Sequence, residues 1–339
     1  MNRAPIFIVG TERSGSNLLR VILNAHPAIS IPHPPHILAF FAPLEKYYGD
    51  LSCERNFRKL LADVVRHVNR HIYPWPMSIN LERLYATAKP RDAFGLFAAI
   101  YDQYLEFTSK RRWGCKSTFM IHYVDRILAR YPEAQIIWLV RDPRSVALSS
   151  RTSVFNPFHP HYVAQLWTLQ QELALQLQAT LSPANFTAIR YEDLITDPVK
   201  VVKSICTFLH EDFNPAMLDF YQTDDAHKSA ALSRDWKNTA SPILSNNGDK
   251  FLSRLSENEI AIIESVAGDT MRELGYKILL NHPIEPPGPL KRLHYAMANQ
   301  CLRIPVEYHS WREDKNQWLR WARKARISAL RIRLQFGLR

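Results

Sequence analysis

The chain has 339 residues, 46% of them hydrophobic, and a formal charge of +11, which suits one large globular domain or a domain with insertions and excludes a disordered chain. From residue 281 onward 12 Lys/Arg stand against 4 Asp/Glu, so +8 of that charge falls in the last 59 residues; the body is too mildly basic for a nucleic-acid-binding core. No apolar run predicts a spanning helix, the N-terminal pattern is not that of a signal peptide, and the isolated Cys53, Cys115, Cys206 and Cys301 favour reduced thiols in a cytoplasm.

In chain order, residues 5–9 read as a first strand and 17–24 as a helix whose apolar face carries Leu18, Leu19, Ile22 and Leu23. Between them lies Gly10-Thr11-Glu12-Arg13-Ser14-Gly15-Ser16-Asn17, a Gly-bounded loop of the kind that aims backbone N–H groups at a phosphate. Gly10 and Gly15 keep the Walker spacing, but Ser16 and Asn17 stand where that motif needs Lys and Ser/Thr, so the expected ligand is not ATP with magnesium. Residues 28–31 read as a short strand ending in Pro32-His33-Pro34-Pro35-His36, where the prolines forbid helix. Residues 37–110 carry helical periodicity and are expected to form a cap or lid inserted between core strands. Within it, His67 and His71 have i, i+4 spacing but no acidic or cysteine companions, which reads as a solvated helix face.

Residues 113–116 predict a short strand, and Gln135-Ile136-Ile137-Trp138-Leu139-Val140 a strand buried on both faces that ends in Arg141-Asp142-Pro143. Helices are expected at 143–152 and 161–180, a strand at 186–190, a break at Thr196-Asp197-Pro198 and a helix to about His210. Strands alternating with helices predict an α/β fold with a mainly parallel sheet, in which ligands bind beyond the carboxyl ends of strands. That rule brings the Gly10 loop, the Pro32 cluster and Arg141 to one edge. Pro283, Pro286, Pro287, Pro289 and, farther on, Pro305 suggest a linker, so residues 1–285 are read as one domain and 286–339 as a linker with a basic helical extension. Residues 315–339 hold eight Lys/Arg, no acid, and Trp318 and Trp321; a solvated helix, an RNA-binding arm and a segment lying on anionic lipid all fit.

Four motifs, in order, resemble those of sulfotransferases that use 3′-phosphoadenosine 5′-phosphosulfate (PAPS), with the bacterial and tyrosylprotein-type members nearest. The Gly10 to Asn17 loop resembles their 5′-phosphosulfate loop, and Arg141 followed by Ser149 their 3′-phosphate motif. Arg190-Tyr191-Glu192-Asp193-Leu194 is similar to a segment whose Tyr lies near the adenine, and Trp113-Gly114-Cys115-Lys116-Ser117 to one whose Lys faces the leaving group. The resemblance implies a P-loop-like core, PAPS as co-substrate without a metal, and nucleotide contacts from Arg13, Ser14, Gly15, Ser16, Asn17, Arg141, Ser149 and Tyr191. Lys116 and Arg13 would stabilise the leaving group. Counting from His26-Pro27, the family's base falls on His33, with His36 as second candidate. The small-molecule branch's Arg-Lys-Gly triplet is absent from Trp236 to Ile243, leaving Thr239 and Ser241 as alternatives for a nucleotide contact, with Lys250 and Arg254 as further phosphate candidates. The acceptor would be a hydroxyl on a carbohydrate, lipid or other metabolite. A small-molecule kinase, or a nucleotide-binding protein without turnover whose tail recruits membrane or nucleic acid, stands as the alternative.

Overall fold

The computed structural model describes residues 4–280, 287–314 and 316–336. Five parallel strands form the core: β1 Ile6–Val9, β2 Ile29–Ser30, β3 Arg112–Lys116, β4 Gln135–Val140 and β5 Phe186–Arg190, in the spatial order β2-β3-β1-β4-β5. The expected α/β class is therefore the observed one. Strand order reverses at β1, so the crevice where ligands bind in such sheets opens beyond Val9, between the ends of β3 and β4. The inner strands β1 and β4 read as nearly unbroken apolar runs because both faces are covered. Ile6 and Ile8 pack on one side with Leu19, Ile22 and Leu23, while Phe7 and Val9 pack on the other.

The helices follow in chain order: α1 Ser16–Asn24, α2 Ile37–Phe41, α3 Glu54–Asn69, α4 Leu81–Thr87, α5 Ala93–Thr108, α6 Val124–Arg130, α7 Pro143–Ser150 and α8 Pro160–Thr180. After β5 come α9 Tyr191–Thr196, α10 Pro198–Leu209, α11 Asp224–Leu232, α12 Glu257–Glu273, α13 Pro289–Glu313 and α14 Gln317–Gln335. Asp142 and Asp197 cap α7 and α10 through their side chains, each with Pro at the first helical position. The 135–140 and 186–190 strands stand as predicted, and α1 begins one residue early, at Ser16.

Three expectations need correction. The 37–110 insertion is not wholly a lid: α5 is a layer of the core, with Phe97 and Tyr101 packed on Trp113 of β3 at ring separations of 5.9 and 4.9 Å. Its apolar residues run nearly all round the helix because neighbours cover it on several sides. The proline-marked linker is also shorter than expected. Residues 281–286 lie outside the described residues, but α13 already starts at Pro289 and carries Pro305 inside it. Proline at the first turn lacks only an N–H with no partner, and around Pro305 the helix is exposed, which leaves the freed carbonyl open to solvent. Nor is the basic tail freely solvated. Ile327, Leu330 and Leu334 of α14 pack on the core, Arg333 bonds Asp63 at 3.1 Å, and Tyr295 of α13 is buried against His159 at 4.4 Å.

Candidate active site

The Gly10 loop leaves β1 through two backbone conformations that favour glycine. Gly10 has φ +144° and a Cβ there would meet the Leu139 carbonyl at 2.3 Å; Gly15 has φ +90° and a Cβ would fall 2.4 Å from the Tyr191 ring. Between them the Ser14 N–H closes a turn onto the Thr11 carbonyl at 3.2 Å, and Arg13 takes φ +72°. Gly15 is the N-cap of α1, so the first-turn N–H groups after it lack intrahelical acceptors. These groups and the positive end of the helix dipole favour an anion at this point. Arg20, fully buried, holds α1 in place: it bonds Asn17 Oδ1 at 2.9 Å, the Ile31 carbonyl at 3.0 Å, Asp225 at 2.8 Å and Ser229 at 2.6 Å. Asn17 is thereby turned so that its buried Nδ2 has no partner, and the buried Ser14 hydroxyl has none either.

Arg141 projects from the end of β4 into the same region. Its guanidinium donates to the Arg13 carbonyl at 3.0 Å and the Asn247 carbonyl at 2.9 Å, and lies 4.2 Å over the Tyr191 ring. Its buried Nε is unpartnered. Burial pulls the guanidinium below its ordinary value, with Tyr191 and Glu192 opposing. Arg13 donates from Nε to the Ser149 hydroxyl at 3.1 Å and faces the Asp235 carboxylate at 3.5 Å. Arg13 thus leans toward the Arg141–Ser149 end. Asn247 donates to the Tyr191 hydroxyl at 2.8 Å, while Glu192 accepts from the Asp142 N–H at 3.0 Å and the Tyr276 hydroxyl at 3.1 Å, tying α9 to β4.

Arg13, Gly15, Ser16, Asn17, Lys116, Arg141, Ser149 and Tyr191 line one cavity of about 230 Å³ at the carboxyl ends of β1, β3, β4 and β5. Lys116 is buried at the end of β3, and burial lowers its ammonium from the ordinary lysine value, with the Glu12 carboxylate opposing. His33 does not line that cavity. It is 3% exposed behind Trp236, which does line it, with the two rings 4.7 Å apart. Neither His33 nitrogen has a partner, and burial, reinforced by His71 and Lys116, holds the imidazole well below 6.5 and hence neutral at pH 7. His36 takes φ +56° and points Nδ1 at the Ser117 hydroxyl, 3.0 Å away; burial and Arg323 lower it as well.

His67 and His71 do not lie on a solvated face; both are buried. Nε2 of His67 meets the Pro35 carbonyl at 2.9 Å, and the His71 ring lies 5.2 Å from that of His33. The cover of His67 comes from Arg323 of α14, 256 residues away, which no local pattern announces. Among the described residues no cluster of three His, Cys, Asp or Glu side chains could hold a metal ion. Thr239, not Ser241, lines the cavity, although its hydroxyl already bonds the Ala226 and Trp236 carbonyls at 3.1 and 2.8 Å. Lys250 and Arg254 line a separate depression with Arg151. Sequence reasoning missed Arg20, Asp225, Asp235, Trp236 and Asn247. Of these only Arg20 carried a signal, as a lone cation among the apolar residues of α1.

A family model described as "Sulfotransferase family" matches residues 5–215. Protein-tyrosine sulfotransferase A of Caenorhabditis elegans is 22% identical over 82% of this chain and 68% of its own length. An uncharacterized protein of Aquifex aeolicus is 23% identical over 69% of this chain, which spans only 29% of that relative. Among solved structures, the sulfotransferase domain of the Synechococcus PCC 7002 olefin synthase is 26% identical and superposes with a TM-score of 0.53 over 78% of this chain and 95% of that one. No described helix is long and apolar enough to cross a membrane. With its parallel sheet, its glycine-bounded loop and the matched span of more than half its length, the chain belongs to the Sulfotransferase family.

Proposed function

We propose that this protein transfers the sulfuryl group of PAPS to a hydroxyl acceptor. The observation that carries the reading is the convergence of Lys116, Arg141, Ser149 and the Gly10 loop on one cavity. A nucleotide with a 3′-phosphate and a 5′-phosphosulfate needs two anion sites, and this cavity has cations at both: Arg141 with Ser149 and Arg13, and Lys116 with the α1 N-terminus. Sulfuryl transfer moves less charge than phosphoryl transfer, so fixed cations can serve where kinases use magnesium. Lys116 stabilises charge growing on the bridging oxygen, while Arg13, held by Ser149, serves the 3′-phosphate end. His33, neutral with both nitrogens unbonded, takes the proton from the acceptor hydroxyl. Because Trp236 stands between His33 and the cavity, the acceptor has to reach the base from the far side of that indole or displace it.

Calorimetric titration with 3′,5′-adenosine bisphosphate (PAP), against ATP with magnesium, tests the reading on the parent protein and on Arg141→Ala. The expected result is preference for PAP and loss of that preference in the variant. Preference for ATP, or indifference to Arg141, removes the assignment, and the first of these favours a kinase.

A second observation concerns where the protein works. Leu290, Leu293, Met297, Ile304, Tyr308 and Trp311 form an exposed stripe along α13, and it runs into stacked Trp318 and Trp321 at 5.2 Å. The acids beside it are paired, Glu307 with Arg303, Glu313 with Arg234 and Asp314 with Arg320, while Lys291, Arg292 and Lys324 have no described carboxylate partner. An apolar stripe edged by uncompensated cations fits an anionic lipid surface. Co-sedimentation with anionic vesicles should fall in Trp318→Ser/Trp321→Ser, and equal binding by both forms rejects membrane attachment.

A further inference from the structure

A second cavity, of about 260 Å³, lies between α3 and α14, and cations dominate its wall. Arg66, Arg70, Arg323, Arg326 and Arg333 line it with one carboxylate, Asp63. That carboxylate is already engaged by Arg66 at 3.0 Å, Arg333 at 3.1 Å and the Tyr48 hydroxyl at 3.0 Å. Among the described residues no carboxylate pairs with Arg70, Arg323 or Arg326. Arg323 instead donates to the Pro35 carbonyl at 2.5 Å, faces His67 Nε2 at 3.0 Å and lies 4.7 Å over the Phe40 ring.

The cluster has more donors than acceptors. If His67 Nε2 carries the proton, it and Arg323 share the one Pro35 oxygen; if it does not, Arg323 alone holds that oxygen and His67 accepts. In either tautomer the buried Arg323 Nε is left unbonded. Burial, with Arg326 beside it, pulls this guanidinium down to about 10, a sign of a cation held without a counter-ion. Apart from His67, the remaining wall is apolar, formed by Phe41, Ile327, Ala329 and Leu330.

Resting on the sulfotransferase reading, we propose that this cavity binds the anionic group of the acceptor, a phosphate, sulfate or carboxylate joined to an apolar body. Its placement supports the assignment. Pro35, whose carbonyl Arg323 holds, is the residue before His36 and two after His33, so the cavity backs directly onto the segment that carries the candidate base. Guanidinium groups suit a tetrahedral or planar oxyanion, and the apolar wall suits a chain attached to it. The sulfuryl acceptor would then be an anionic amphiphile, seated by its charged end between α3 and α14 with its hydroxyl toward the Pro32–His36 turn.

The test is calorimetry on the full chain with hexyl phosphate and, separately, inorganic phosphate, in the parent and in Arg70→Ala/Arg326→Ala, with PAP titrated into both. Arg70 is exposed and Arg326 partly so, and the PAP titration reports whether the double variant remains folded. Hexyl phosphate should bind the parent at least tenfold more tightly than inorganic phosphate and lose at least tenfold in the variant, with PAP affinity changed less than twofold. Saturating hexyl phosphate should also move the NMR titration midpoint of His36 to higher pH, because it offsets the Arg323 charge. Equal binding of hexyl phosphate by parent and variant overturns the site, equal affinity for the two phosphates overturns the apolar body, and an unmoved His36 separates the cavity from the acceptor. Loss of PAP binding by the parent would instead overturn the donor reading, whatever hexyl phosphate does.

Discussion

Around the Gly10 loop the polar groups are fixed by directional bonds: Arg141 is held by two carbonyls, Arg13 by Ser149 and Asp235, and Asn17 through Arg20. In the Pro32–His36 turn the His33 imidazole is fixed instead by ring packing, 4.7 Å from Trp236, 5.2 Å from His71 and 5.7 Å from Tyr73, with no hydrogen bond to either ring nitrogen. One region holds its charged groups in fixed directions, as a ligand of constant charge requires. The other keeps neutral bases in a dry aromatic setting, where a proton can be taken without a solvated competitor. On the proposed reading the first region binds the donor and the second takes the proton, and variants that separate these properties test it.

The largest effect is expected from His33→Ala. Loss of a general base lowers turnover by about 10²- to 10⁴-fold, whereas PAP affinity should change less than twofold, because His33 does not line the nucleotide cavity. A parallel loss of PAP binding would join the two regions into one. Arg141→Ala is the converse. Removing a charged donor to phosphate costs about 1.5–3 kcal/mol, roughly 10- to 150-fold in PAP affinity by calorimetry. Gly15→Ala strains the loop itself: φ +90° and a Cβ 2.4 Å from Tyr191 should lower stability by about 1–3 kcal/mol in urea unfolding. Adding Tyr191→Ala should recover the steric part and leave the dihedral part.

The smallest effects are in pH dependence. A base held well below 6.5 is neutral, and so active, throughout the neutral range, and the acid limb of kcat/KM should fall below pH 6.5. A limb above that value would move the base elsewhere. Stability should follow the same sign. His33, His71 and His67, the last held at about 3, are neutral when folded and gain protons on unfolding below pH 6.5. Stability is therefore lost as pH falls from 6.5, by up to about 1.4 kcal/mol per pH unit for each. A melting temperature constant from pH 7 to 5 would mean that water reaches these rings.

Much of the nucleotide side was legible in the sequence because its determinants are local. The β4 run from Gln135 to Val140 must be buried on both faces, and a strand, a loop with glycines at positive φ and a helix N-terminus form a phosphate cradle within a dozen residues. The rest was not legible because it depends on partners distant in sequence. Whether His67 and His71 face water is decided by α14, whether α5 is lid or layer by Trp113, and where Trp236 and Asn247 sit by irregular chain between α11 and α12. None of those segments has a periodicity that fixes its neighbour.

The sequence by itself determined the parallel α/β sheet, the loop from Gly10 to Asn17 and the order of the cavity-lining residues at the strand ends, since each follows from side-chain pattern and backbone preference over short spans. Only the tertiary structure decided that Arg13 joins Ser149, that His33 sits dry behind Trp236, and that the basic tail folds back to close an arginine-lined cavity beside it. The physical reason is burial. Desolvation keeps the His33 imidazole neutral and lowers the Arg323 guanidinium, and desolvation belongs to no single segment of the chain.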